Sequence, residues 1–336
     1  MTTGKNNRGG LWVLAEQHQG VLAEVALELL GRARELADQG GFQVTAVLLG
    51  DQVKGLTDEL IAAGADQVLV AEDPALEPYR LLPYTQVLSD LIKEHQPEIL
   101  LIGATAMGVE LAPRAAARVA TGLSAHCIDL QLDDQGRLLQ VVPGWGGGVL
   151  AAITCPDHRP QMATVMPGVM KSRRDPQRQG QVIEAPVDLP QDQPGPRVIE
   201  VSRREPQGLP LEKAEIVVAG GWGVGSAEKW SLVEELAELL DGAVGATRPP
   251  LDEGWAEEDQ MIGQSGKTVR PKLYIGLGIS GMMHHVVGMD QSEFVVAVNQ
   301  DPQAAIFEVC DLGLVADLTE LLPHLIAEIK RLKETG

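Results

Sequence analysis

Short apolar runs without polar alternation recur along the chain. Most are followed by segments in which apolar residues return every three or four positions. Leu11 to Ala15, Val44 to Leu49, Gln67 to Val70 and Ile99 to Gly103 read as strands buried on both faces. Leu22 to Ala37, Leu56 to Ala63, Tyr84 to His95 and Glu110 to Val119 carry the helical period, the last interrupted early by Pro113. Gly40-Gly41 and Pro97 stop two of these helices. Strands and helices in alternation predict a parallel sheet with helices on both faces.

After Gly122 the pattern changes. Cys127 to Leu130, Leu138 to Val142 and Val149 to Thr154 predict β segments around a turn at Pro143 to Gly148, and Gln161 to Val165 predicts another. Asp175 to Pro210 is rich in Pro, Gln and charge, and reads as a connection holding one strand, Arg197 to Val201. This shift divides the chain into a first domain, 1–208, and a second, 209–336.

The second domain opens with a strand, Ala214 to Ala219. A Gly-rich turn, Gly220 to Ser226, and an amphipathic helix to Leu240 follow. Farther on, the apolar runs Leu273 to Leu277 and Glu293 to Val298 enclose a tight Gly278-Ile279-Ser280-Gly281 turn. The turn leads into a short helix, Met282 to Val287, that Ser280 can cap. Its N-terminus is expected at the carboxyl edge of the sheet, where anions and cofactors bind. Taken singly, His284 and His285 also fit a packed helix with satisfied imidazoles. The turn after the first strand is not a full dinucleotide fingerprint, because Ser226 stands at the third glycine. Gly266-Lys267-Thr268 likewise fails as a phosphate loop, because Met261 stands at its first glycine. Between the two units lie Arg248, expected to be extended because prolines follow it, and Ser265, whose neighbouring glycines leave its hydroxyl unhindered. With His285 they supply a cation, a small donor and an imidazole near one sheet edge.

Composition narrows the field. A formal net charge of −20 and a pI near 4.7 argue against nucleic acid and anionic membrane as partners. The chain is 44% hydrophobic with only 3% aromatics, while its 37 Gly and 21 Pro suit tight strand–helix connections. Its 3 cysteines form no C-x-x-C pair, so no zinc or iron–sulfur site is signalled. The polar start MTTGKNNRGG has no apolar targeting segment, and no run approaches a membrane span. A cytoplasmic location is expected.

Leu273 to Asn299 resembles a pattern of the electron transfer flavoprotein alpha subunits, "YI-x-x-GISG-x-x-QH-x-x-GM". Gly245 to Arg248 is similar to that family's "GASR", and Gly263 to Lys267 to "GQTGK". Asn299 to Phe307 is similar to "NKDP-x-x-PIF", and Asp311 to Leu318 to "D-x-GLV-x-DL". Leu111 to Arg118, Thr121 to Leu123 and His158 to Gly168 extend the likeness into the first domain, so that it covers nearly the whole chain.

The resemblance implies an α/β protein. Its N-terminal domain would be a Rossmann-like parallel sheet that packs against a beta subunit. Its C-terminal domain would be doubly wound and would hold FAD. The cofactor contacts it implies are Trp222, Thr247, Arg248, Gly263, Gln264, Ser265, Gly266, Ser280, Gly281, Met282, Met283, His284, His285, Asn299, Asp317 and Leu318. Arg248 would lie by the isoalloxazine ring, Ser265 at its N5, His285 at its C2 carbonyl and Gln264 at the ribityl chain. Asn299, Asp317 and Leu318 would line the adenosine side. Arg248, His285 and the helix start would favour negative charge on the reduced ring. No residue need act as nucleophile or base.

The implied function is electron carriage from dehydrogenases such as acyl-CoA dehydrogenase, in fatty acid β-oxidation, to an acceptor such as a quinone reductase. A variant bifurcates electrons between NADH, ferredoxin and a higher-potential acceptor. The other class open to the sequence is a regulatory nucleotide-binding protein without redox activity, and Arg248, Ser265 and His285 weigh against it. Four positions depart from the family pattern. Trp222 replaces an arginine of "SGGRG", His284 a glutamine, Ser265 a threonine, and Met282 a smaller residue. Losing the arginine is expected to lower the flavin potential unless a protonated His284 compensates. Packing at the subunit interface is the alternative account of Trp222.

Overall fold

In the computed structural model of the chain, the apolar runs become two parallel sheets. The structure describes residues 10–144, 149–190, 196, 198–201 and 209–335. It divides into two compact units, Met1–Val201 and Ser202–Gly336. Residues 145–148 of the expected turn, Arg197, and the expected boundary at 208 lie outside the described residues.

The first unit runs β1 (Leu11–Leu14), β2 (Gln17–His18), β3 (Val21–Leu22), α1 (Glu24–Gly40), β4 (Val44–Gly50), α2 (Thr57–Ala63), β5 (Gln67–Glu72), α3 (Leu81–His95), β6 (Ile99–Gly103), α4 (Ala106–Arg118), β7 (Leu123–Cys127), β8 (Asp129–Leu132), β9 (Leu138–Gly144), β10 (Val149–Ile153), β11 (Gln161–Val165) and β12 (Gln181–Glu184). Seven of these strands form one parallel sheet in the order β12-β5-β4-β1-β6-β11-β7. The absence of alternation in its central strands has a simple cause. Leu11 and Val13 pack with α1 on one face, while Trp12 and Leu14 pack with α3 and α4 on the other.

Three features differ from the sequence reading. The strand expected at Arg197 to Val201 is not formed by Val198–Val201, and the connection instead supplies β12, which pairs with β5. All of β12 is exposed, so it carries no burial pattern to read; pairing with β5 places it. Cys127 to Leu130 is two strands. β7 ends in the parallel sheet, and β8 starts a separate antiparallel sheet with β9 and β10. Pro113 lies within α4, whose start is fixed by Thr105, the side chain of which accepts from the Gly108 N–H.

The second unit runs β13 (Ile216–Gly220), α5 (Ala227–Leu239), β14 (Ala243–Ala246), α6 (Arg248–Asp252), β15 (Leu273–Leu277), α7 (Met283–Val286), β16 (Val295–Asn299), β17 (Leu312–Val315) and α8 (Leu318–Thr335). Its sheet is parallel, in the order β14-β13-β15-β16-β17. The chain leaves β13 toward one edge and returns at β15 toward the other. Connections therefore diverge at the carboxyl ends of β13 and β15, which opens a crevice there. Trp230 and Val233 of α5 and Leu322 and Ile326 of α8 form one apolar layer with the sheet. Tyr274, Ile279, Met289 and Ile306 belong to a second. Among the described residues no helix is long and apolar enough to cross a membrane.

Candidate functional site

At the divergence point two turns press together. The Gly221 N–H donates to the Leu277 carbonyl (2.8 Å), and the Gly223 N–H to the Gly278 carbonyl (2.9 Å). A Cβ on Gly223 would sit 2.8 Å from Gly278 Cα, and Gly278 itself has φ +63°. Only residues without side chains close this floor. After it, Ser226 caps α5 by accepting from the Lys229 N–H.

The second turn continues through Ser280 and Gly281. Gly281 has φ +86°, and the Ile306 N–H donates to the Ser280 carbonyl (3.1 Å), which pins this loop to the segment before β17. The expected Ser280 cap is not formed. Met282 is the residue before α7, no side chain caps it, and Ser280 is exposed two positions earlier. α7 is a single turn of 4 residues, too short for the strong helix-terminus field that the sequence suggested.

The two histidines separate. His285 is buried. Its Nδ1 lies 2.9 Å from the Ile262 carbonyl and its Nε2 2.6 Å from the Tyr274 hydroxyl. A carbonyl can only accept, so Nδ1 carries the proton and Nε2 accepts from Tyr274. Burial pushes the His285 pKa down to about 4, against an opposing pull from the Ile262 carbonyl. Burial also pushes the Tyr274 phenol up, which keeps it protonated as donor. At neutral pH His285 is therefore uncharged with both nitrogens engaged inside the chain. The ring thus adds no positive charge of its own, and a bond from it to a ring carbonyl would require breaking one of these two. His284, on the other side of the turn, is exposed, and its Nδ1 donates to Gln264 Oε1 (2.8 Å).

The 263–267 turn is bound to α7. The Gln264 N–H donates to the His284 carbonyl (2.7 Å), and Lys267 and Gly263 return N–H bonds to Met261 and Lys267 carbonyls. Met261 bridges to Ala246 beside β14, which ties this turn to the sheet. Gln264, Ser265 and Gly266 are left exposed at its tip.

Arg248 is not extended. It opens α6, with Thr247 as the extended residue before it. The rule that disfavours helix before proline yields here because Pro249 and Pro250 fall in the first turn, where missing N–H groups cost nothing. The Thr247 N–H donates to the Gly220 carbonyl (3.0 Å), which holds α6 at the end of β13. Arg248 Nε donates to Asp252 Oδ1 (2.7 Å), with both side chains more than half exposed. Trp222 stacks on Trp255, with ring centroids 5.5 Å apart and planes 13° apart.

On the remaining side, Asn299 donates from Nδ2 to the Ile279 carbonyl (2.9 Å) and accepts at Oδ1 from the Asp301 N–H (3.0 Å). Its side chain is spent on shaping the loop. Asp317 accepts from the Thr319 N–H, which holds its carboxyl below the usual range. Leu318 packs its side chain into the apolar layer with Val218 and Leu322. Of the sixteen expected contacts, Trp222, Arg248, Gln264, Ser265, Gly266, Ser280, Met282, Met283, His284 and Asp317 are exposed, while Gly263, His285 and Leu318 are buried. Tyr274, Trp255 and Asp252 were not singled out from sequence. Each sits in an ordinary apolar or acidic context, and no local pattern marks it.

Comparison with known proteins bears on this crevice. The family described as "Electron transfer flavoprotein domain" matches residues 11–190, and "Electron transfer flavoprotein FAD-binding domain" matches residues 210–290. The electron transfer flavoprotein subunit alpha of Thermoanaerobacterium thermosaccharolyticum is 46% identical over 329 residues, covering 98% of this chain and 100% of its own. Protein FixB of Clostridium saccharobutylicum is 44% identical over 324 residues, 96% of this chain and 97% of its own. The acryloyl-CoA reductase electron transfer subunit beta of Anaerotignum propionicum is 37% identical over 354 residues, 97% of this chain and 96% of its own.

Proposed function

The chain belongs to the electron transfer flavoprotein family as an alpha subunit, and from that premise we propose that it carries electrons as the FAD-holding half of an alpha–beta heterodimer. Its second unit binds FAD. The residues fit that cofactor. The crevice floor at Gly221, Gly223 and Gly278 has no side chain to obstruct a dinucleotide, and a Cβ at Gly223 or Gly278 would clash. Bound there, FAD supplies a ring that takes up and releases electrons.

This chain's own groups bind and tune. Gln264, Ser265, Ser280 and His284 present polar atoms from two turns that backbone bonds hold in place. Arg248 keeps its charge at all working pH values and favours negative charge arriving nearby. His285, neutral and doubly bonded, positions the 262–264 segment against α7 and adds no charge of its own.

The donor is a dehydrogenase such as an acyl-CoA dehydrogenase and the acceptor a quinone reductase or its equivalent, in the cytoplasm. What supports the flavin-carrying role is the crevice at the divergence point, together with an FAD-binding family match over residues 210–290 that spans it. The net charge of −20 suits protein and small-molecule partners rather than nucleic acid. The test is co-expression with the beta subunit, followed by size exclusion with light scattering, a visible spectrum and reduction by an acyl-CoA dehydrogenase with its substrate. A one-to-one heterodimer with a flavin spectrum that bleaches on mixing is expected. A colourless or stably monomeric protein, or one that no dehydrogenase reduces, would overturn the proposal. Addition of NADH and ferredoxin separates simple carriage from bifurcation.

A further inference from the structure

We propose that residues 171–184 of the first unit form a strap, buckled by ion pairs at Asp66, that opens on its own and uncovers the edge of β5. The strap crosses from one face of the parallel sheet to the other. Before it, Val169 and Met170 pack into the apolar layer that holds α1. After it, Ala185, Val187 and Leu189 pack into the layer that holds α3 and α4. Between these apolar anchors every residue is exposed except Arg178, which is partly buried. Burial therefore fixes the two ends and not the middle.

Polar contacts hold the middle. Arg173 pairs with Glu35 of α1, and Lys54 with Glu184 at the end of β12 (2.7 Å). The Asp175 N–H donates to the Ala62 carbonyl (2.8 Å). The Gln181 N–H donates to the Asp66 carbonyl (3.0 Å), where β12 begins to pair with β5. The least exposed ion pair of the strap is at Asp66. One carboxylate oxygen accepts from Arg178 Nη2 (2.5 Å), and the other from Arg34 Nη1 (2.8 Å) and the Val44 N–H (2.9 Å). Side-chain exposures of 24% for Arg178, 30% for Asp66 and 15% for Arg34 set this cluster apart from Lys54 and Glu184, at 50% and 74%, where water screens most of the attraction. Burial alone would push the Asp66 carboxyl up, but the Val44 N–H and the two guanidinium groups outweigh it and hold the group below its ordinary value. A strand with all four residues exposed gains little from apolar burial, so the hold of β12 on β5 rests on its ladder bonds and on this buckle. Local openings start in such segments. With β12 away, β5 presents unpaired N–H and C=O groups to solvent, a template for another strand, and keeping that edge covered is the role of the strap.

The test is hydrogen exchange read by mass spectrometry on the full chain with its beta subunit. Wild type and Arg178→Gln are compared at low salt and at about 1 M salt, where the Debye length falls to about 3 Å. At low salt Arg178→Gln should speed exchange of the protected amides between 175 and 185 about tenfold or more, as loss of a hydrogen bond to a charged group does, while β4 and β6 exchange as in wild type. High salt should speed the same amides in wild type and scarcely change them in the variant. Trypsin cleavage after Lys171, Arg173 and Arg174 should rise in step. Unchanged exchange in the variant, or an equal salt response in both proteins, would show that Asp66 does not buckle the strap. Acceleration shared with β4 and β6 would make the opening part of global unfolding, and would equally overturn the proposal.

Discussion

Replacing His285 by glutamine should flatten the acid sensitivity of folding. In the native chain the imidazole is pushed down to about 4 from an ordinary value of 6.5, because it is buried between Tyr274 and Ile262. A depressed pKa means the unfolded chain takes a proton that the folded chain refuses. The stabilisation is complete above the unfolded value and is lost as pH falls through 6.5 toward 4. Each pH unit inside that window costs about 1.4 kcal/mol. Between pH 7 and pH 5 this one ring should therefore withdraw about 2 kcal/mol, a sizeable part of the roughly 5–15 kcal/mol that holds a domain together. Glutamine does not titrate. At pH 7 the variant should be less stable by about 1–3 kcal/mol, because the buried Tyr274 hydroxyl loses a well-placed acceptor. On going to pH 5 the gap between wild type and variant should close by about 2 kcal/mol. Urea unfolding of the chain followed by circular dichroism, at both pH values and one ionic strength, measures it. A gap that stays the same at pH 5 and pH 7 would show that the ring is not held neutral in this pocket.

Two further outcomes follow from the crevice. Arg248→Ala should lower the reduction potential of bound FAD, and Asp252→Asn should raise it, because Asp252 now occupies the Arg248 Nε. A dithionite titration with a reference dye reads both, and two unchanged potentials would place the guanidinium away from the ring. Gly281→Ala should cost at least about 1–3 kcal/mol through its left-handed backbone alone, and more because the new Cβ runs into the Ile306 backbone. The expected signs are a lower melting temperature of the loaded complex and faster FAD release, and an unaltered melt would mean that the loop is free to move.

Much of this protein was open to reading along the chain. Leu273 to Leu277 is a strand because five apolar residues between turn-formers can only be buried on both faces. Gly278 and Gly281 announce the turn that follows. The alternation of such runs with helical periods sets the α/β class, and the motif order carries the family. These are local properties, decided by residues within one or two turns of each other.

The site needed more. Neighbours on a short helix point to different sides, but whether His284 or His285 goes inward depends on Tyr274 and Ile262, 11 and 23 positions away, which meet it only once β14, β13 and β15 lie side by side. The stack of Trp222 on Trp255 and the placing of β12 beside β5 have the same origin. So does the charge of the site. A histidine reads as a cation or a neutral ring only when its burial and partners are known, because desolvation, which the linear pattern does not record, sets its pKa.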